Sequence, residues 1–92
     1  MIRSFADEET RSLFLTGRSR RFGNIAKIAI RRLHAVDFAE AVEDLRSPPG
    51  NRLEKLYGDR EGDYSIRVND QYRVCFRWDG RHAWDVELVD YH

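Results

Sequence analysis

The strongest limit on the fold is a change in hydrophobic period at Ser47-Pro48-Pro49-Gly50, a stretch that stops a helix. Before this break, apolar residues recur every three or four positions, as on one face of a helix. After it they alternate with polar residues, as in strands covered on one side. The 92 residues are therefore expected to form one domain, 1–92, of the α+β class with two layers.

In the helical half, Met1–Phe5 is expected to form a strand, and Asp7 to cap a helix that Gly17 ends. Asn24 is the expected cap of a second helix, and Asp37 that of a shorter third one. The apolar faces of these two helices are Ile25, Ile28, Ala29, Leu33 and Val36, then Phe38, Ala41, Val42 and Leu45.

The second half reads as a short strand at 53–56 and three alternating strands, with Asp79-Gly80 as a two-residue hairpin. The architecture is thus an N-terminal strand, two or three helices, then an antiparallel sheet of about four strands. Trp84 is expected on the apolar face, and the residues expected to be buried there are Tyr72, Val74, Phe76, Val86 and Leu88. Arg67, Arg73 and Arg77 fall on the opposite, open face. These arginines are expected either to bind the phosphate backbone of a nucleic acid or to form ion pairs with Asp85 and Glu87 across the strands.

Net charge is zero, yet the charges are segregated along the chain. Residues 17–33 hold six bases and no acid, and residues 37–44 hold four acids and no base. The basic stretch is either a surface for nucleic acid or an ordinary solvated helix face.

No metal-ligand spacing, phosphate loop or nucleophile elbow is present, so no cofactor or metal is expected. Cys75 is expected to be a packing residue. The sequence has no secretion signal and no apolar run near the ~20 residues of a membrane span. We therefore expect a cytoplasmic protein without membrane contact.

The final Asp90-Tyr91-His92 places an acid, a phenol and an imidazole directly after an apolar strand. A histidine beside the terminal carboxylate is suited to general acid catalysis, the alternative being a surface tail.

The opening Met1–Phe5, the segments 46–53, 58–69 and 71–76, and the closing Val89-Asp90-Tyr91-His92 resemble a HigB-type toxin of the RelE/ParE superfamily. The resemblance implies a RelE-like fold and a ribosome-dependent endoribonuclease that cleaves messenger RNA in the A site. It also implies a HigA-type helix-turn-helix antitoxin, through which alone the toxin would reach operator DNA.

By this resemblance His92 is the general acid, Asp90 and Tyr91 orient the ring and the substrate, and Arg73 holds the scissile phosphate. Glu54 stands where some relatives have histidine and YoeB-type toxins have glutamate, and it is the expected base. The contacts to RNA or the ribosome are assigned to Arg18, Arg20, Arg21, Lys27, Arg52, Lys55 and Arg67.

Tyr57 stands where the relatives with histidine at the position of Glu54 have a lysine, and the loss of this lysine is expected to slow the reaction. Two alternatives stay open on the sequence: a ParE-like inhibitor of DNA gyrase without nuclease activity, and a degenerate toxin that only binds its antitoxin.

Overall fold

The structure, a computed structural model, describes residues 1–91. It contains two α-helices, α1 (Glu8–Thr16) and α2 (Ala26–Phe38), followed by four strands. The strands are β1 (Glu54–Lys55), β2 (Asp63–Arg67), β3 (Tyr72–Trp78) and β4 (Ala83–Asp90), paired antiparallel in the order β1-β2-β3-β4. The predicted α+β architecture is confirmed.

The first residues extend the sheet at its other edge. Ile2 and Phe5 form parallel bridges to Ala83 and Val86 of β4, so the expected N-terminal strand is present as two isolated bridges. In this arrangement β4 is flanked on both sides.

The helices cover one face of the sheet, and the core lies between the two layers. Its fully buried members include Leu13 of α1, Leu33 of α2, Ile66 of β2, Val74 and Phe76 of β3, and Val86 of β4. Thr10 joins the layers, because its buried Oγ1 accepts a hydrogen bond from the Leu88 backbone N–H at 3.1 Å. In residues 1–91 no helix combines the length and the apolar character that a membrane span requires.

Helix α1 has the expected ends: Asp7 accepts a hydrogen bond from the Thr10 N–H at 2.7 Å, and Gly17 closes the helix at φ 74°. The expectation for Asn24 is wrong, because this residue lies inside a short 3₁₀ turn, Gly23–Ile25. Within residues 1–91 no side chain caps α2, and Ser19 Oγ accepts from the N–H groups of Arg21 and Phe22 earlier in the loop.

The prediction of a third helix that begins at Asp37 is also wrong. Helix α2 continues through Asp37, whose carboxylate accepts from the distant Ile2 N–H at 2.8 Å and is not a cap. A 3₁₀ turn, Val42–Arg46, follows, and Asp44 binds the N–H groups of Glu40 and Ala41. Of the expected apolar face, Leu45 is buried, whereas Phe38 is 78% exposed.

The β3–β4 connection is a four-residue loop, 79–82, where two residues were predicted. The Asp79 carboxylate accepts three hydrogen bonds that close it, from Arg81 N, His82 N and Trp84 Nε1. A bulge in β4 with Asp85 at φ 54° then shifts the register by one residue. Ala83 therefore takes the core position expected of Trp84.

Candidate active site

Arg73 lies on the open face of the sheet, as predicted, but it is buried rather than exposed. Only 8% of the residue is accessible, because the segment that leads into β1 covers it. The Nε donates to Ser65 Oγ at 2.8 Å, and Nη2 donates to the carbonyls of Arg52 (2.6 Å) and Ser65 (3.3 Å). In the described part of the chain Arg73 therefore does not pair with Asp85 or Glu87, and its hydrogen bonds go to Ser65 and Arg52 instead.

The third nitrogen of this guanidinium is placed differently. Nη1 lies 3.9 Å from Glu54 Oε1 and makes no hydrogen bond within residues 1–91. Its donors are thus held beside a carboxylate and remain available to an anion. An arginine fixed through its other nitrogens presents this charge at low reorganisation cost, which suits phosphate binding.

The pairing of the strands places Glu54 near Arg73. Glu54 lies in β1 opposite Ser65 of β2, and Ser65 lies opposite Cys75 of β3. The Glu54 side chain is 57% exposed, so its carboxylate faces solvent at the rim of the buried guanidinium. A carboxylate and a guanidinium therefore lie side by side at one end of the open face.

The end of β4 is held against the β2–β3 loop at the same place. The Tyr91 N–H donates to the Gln71 carbonyl at 2.6 Å, and the Gln71 side-chain amide donates to Asp90 Oδ2 at 3.0 Å. The Tyr91 ring centroid lies 5.9 Å from Arg73 Cζ, within range of a cation–π contact. Of the five predicted catalytic residues, four come together here, and His92 lies outside the described residues.

Three of the expected RNA contacts, Arg18, Arg20 and Arg21, lie in the loop between the helices, and Lys27 lies in the first turn of α2. All four are exposed. Arg18 and Arg20 line a shallow cavity of about 420 Å³ together with Glu9, Ser12 and Ser19. The guanidinium of Arg21 lies 5.0 Å from the Phe22 ring centroid.

Of the other expected contacts, Arg52 and Arg67 lie next to Arg73, and Lys55 follows Glu54 in β1. Arg52 and Lys55 are exposed, and Arg52 adopts a left-handed backbone conformation (φ 45°, ψ 59°) that aims its carbonyl at Arg73. Arg67 is half-buried and forms an ion pair with Asp70. Lys55 lies opposite Tyr64, on the other side of the pleat from Glu54, so Arg52 is the exposed arginine at this rim.

Farther along the open face, pairing between charges prevails. Arg77 lies 3.4 Å from Asp85, as one of the two readings predicted, whereas Glu87 is paired with Arg60 at 3.7 Å. Cys75 is fully buried between these charges, and burial raises the pKa of its thiol. It has the burial expected of a packing residue. Within residues 1–91 no three His, Cys, Asp or Glu side chains are grouped to hold a metal ion.

Sequence reasoning missed two residues of this site, Ser65 and Gln71. Ser65 is a small polar residue in an alternating strand, and only the register of the sheet shows that it lies opposite Glu54. Gln71 lies in a loop, and nothing local indicates that it holds the end of β4.

Comparison with known proteins identifies the family of this chain. A family model described as "RelE-like toxin of type II toxin-antitoxin system HigB" matches residues 3–92. Toxin HigB-1 of Vibrio cholerae is 51% identical over 55 residues, which are 60% of this chain and 58% of that protein. Endoribonuclease HigB of Proteus vulgaris is 36% identical over 61 residues, 66% of this chain and 65% of that protein. The chain thus spans about three fifths of the length of these relatives.

Two solved structures from Staphylococcus aureus share the fold. The YoeB–YefM complex matches with a TM-score of 0.61 at 21% identity, over 100% of this chain and 98% of that one. The YoeB dimer matches with a TM-score of 0.59 at 19% identity, over 99% and 97%. With the family match across residues 3–92, the chain belongs to the HigB-like toxins, RelE-like toxins of type II toxin–antitoxin systems.

Proposed function

We propose that this protein is a ribosome-dependent, metal-independent endoribonuclease that cleaves messenger RNA in the A site and so inhibits translation. The observation that carries the proposal is the buried Arg73 guanidinium, fixed on one side and open through Nη1 beside the Glu54 carboxylate. The name of the Proteus vulgaris relative, an endoribonuclease, supports the same reaction class.

The proposed reaction is a transesterification within the RNA strand. Glu54 accepts the proton of a ribose 2′-OH, and the 2′ oxygen attacks the adjacent phosphorus. Arg73 stabilises the charge that develops on the phosphorane, and His92 protonates the departing 5′ oxygen. The nucleophile is already part of the substrate, so positioning supplies much of the rate enhancement without a metal-bound water.

Substrate orientation is assigned to Asp90 and Tyr91, which are tied to Gln71 through the Asp90 carboxylate and the Tyr91 N–H. Arg52, Lys55 and Arg67 would contact the RNA near the scissile phosphate. The exposed group of Arg18, Arg20, Arg21 and Lys27 would bind ribosomal RNA through its phosphates, with the steep salt dependence of such contacts.

The partner we propose is a HigA-type helix-turn-helix antitoxin, through which the toxin reaches operator DNA indirectly. The family to which the chain belongs consists of toxins of toxin–antitoxin systems. A solved relative of the same fold is titled as a complex of YoeB with YefM.

The test is cleavage of a defined message on purified ribosomes. Wild type is expected to cut the A-site codon and to leave a 2′,3′-cyclic phosphate on the upstream fragment, in EDTA that leaves ribosomes intact. His92→Gln and Glu54→Gln should each lower turnover by roughly 10²–10⁴-fold. Arg77→Gln, in which only a surface ion pair is lost, is the control.

Three results would contradict the proposal. A 3′-hydroxyl product, or full activity of the His92→Gln variant, would reject the acid–base assignment. Inhibition of DNA gyrase without RNA cleavage would identify a ParE-like inhibitor. Binding to the antitoxin with neither activity would identify a degenerate toxin.

A further inference from the structure

We propose that Ser65 is a positioning residue: it fixes the Arg73 guanidinium so that Nη1 faces the reaction centre beside Glu54. The inference rests on the proposed function, since it concerns how the side chains of the same site are oriented. Ser65 itself would touch neither the substrate nor the reacting atoms.

The contacts that carry the inference come from two atoms of one residue. Ser65 Oγ accepts from Arg73 Nε at 2.8 Å, and the Ser65 carbonyl accepts from Nη2 at 3.3 Å. Because these acceptors lie along the edge of the planar guanidinium formed by Nε and Nη2, they fix the orientation of its plane about the Cδ–Nε bond. The Arg52 carbonyl, 2.6 Å from Nη2, completes the support.

The position of Ser65 in the sheet links the two proposed reacting groups. Ser65 is fully buried in β2, directly opposite Glu54 of β1 and next to the strand that carries Arg73. Alanine at this position would leave the buried Arg73 Nε–H without its acceptor. The hydroxyl therefore aligns Arg73 with the cross-strand neighbour Glu54.

Cys75 provides a matched control for this role. It is the partner of Ser65 on the other side, in β3, and is equally buried, yet no hydrogen bond joins its side chain to Arg73 in the described part of the chain. Cys75→Ala thus perturbs the packing of the same sheet region without removing an acceptor of the guanidinium.

The experiment compares Ser65→Ala, Ser65→Thr and Cys75→Ala with wild type by two measurements. The first is the rate at which the Arg73 Nε–H exchanges with water, followed by ¹⁵N NMR. The second is kcat and KM for message cleavage on ribosomes. In Ser65→Ala we expect faster exchange and a kcat about 10- to 100-fold lower, the range for a misaligned catalytic group, with KM little changed.

The two readouts must change together. Ser65→Thr retains the hydroxyl, so kcat should recover to the degree that Nε–H protection recovers, and Cys75→Ala should match wild type in both. Wild-type kcat in Ser65→Ala would overturn the proposal, as would a low kcat with unchanged exchange in any variant. Absence of cleavage by wild type would refute the proposed function instead, and the exchange rate would then decide alone whether Ser65 orients Arg73.

Discussion

A buried guanidinium needs an acceptor for most of its N–H groups, and Arg73 has them on one side only. Lysine at this position would keep the charge but cannot donate to Ser65 Oγ and the Arg52 carbonyl in a planar fork. We expect Arg73→Lys to fold with an unfolding free energy lower by about 1–3 kcal/mol, because buried acceptors lose their donors. RNA cleavage should fall by about 10²–10³-fold.

Urea unfolding and ribosome-based cleavage measure these two effects. Arg77→Lys is the matched control on the same strand face, since Arg77 is exposed and its pair with Asp85 contributes about 0–1 kcal/mol. Equal stability and activity of the two variants would show that the fork geometry of Arg73 is unimportant.

The segment before β1 matters through its backbone as well as its side chains. Arg52 adopts a left-handed conformation that costs a non-glycine residue roughly 1–2 kcal/mol, and its carbonyl supports Arg73. Arg52→Gly and Arg52→Val both remove the guanidinium, but only glycine adopts this conformation easily. We expect the valine variant to unfold at lower urea concentration and to cleave RNA more slowly than the glycine variant. Indistinguishable variants would argue against a role for this backbone conformation.

The β3–β4 loop depends on the ionised form of Asp79. Three hydrogen bonds, first the one from the His82 N–H, then those from Trp84 Nε1 and the Arg81 N–H, lower the pKa of Asp79 from 3.8 to about 2. Because the pKa is lower in the folded state, the stabilisation is fully present above pH 3.8 and is lost as the pH falls through about 2.

Melting temperatures of wild type and Asp79→Asn, measured from pH 7 to pH 2, test this assignment. Wild type should melt at the higher temperature near neutrality, and the difference should shrink as the pH falls through this window. Two curves that stay parallel down to pH 2 would show that the loop does not depend on this carboxylate.

How far the sequence predicts these elements depends on the range of the interactions. Alternation in β2 and β3 correctly placed Arg73 on the open face, because a one-residue slip would turn Val74 and Phe76 out of the core. The prediction that Asp37 caps a helix was wrong because its carboxylate binds the Ile2 N–H, which is 35 residues away in the chain. The burial of Arg73 was missed for the same reason, since it depends on a carbonyl 21 residues earlier.

For the molecule as a whole, charge is segregated although the net charge is zero. The basic loop between the helices exposes Arg20 and Arg21, whereas the turn after α2 is acidic and pairs Glu43 with Arg46. When basic side chains bind phosphates, they release the counterions that surround the nucleic acid. The contribution of these side chains to affinity therefore appears in the salt dependence of binding. If the charge of an arginine is reversed, the effect on the salt dependence of ribosome binding should therefore depend more on the position of that arginine than on the net charge of the protein.

Charge reversal at two sites tests this expectation. Arg20→Glu/Arg21→Glu should weaken ribosome binding and reduce the slope of log K against log salt by about 2, one for each lost phosphate contact. Arg46→Glu/Arg81→Glu changes net charge equally at two exposed arginines outside the basic loop, and its slope should match wild type. Binding measured from low to high salt, with circular dichroism to confirm folding, separates the cases. Equal slopes for the two double variants would mean that net charge alone sets the affinity, and that the basic loop contacts no ribosomal phosphate.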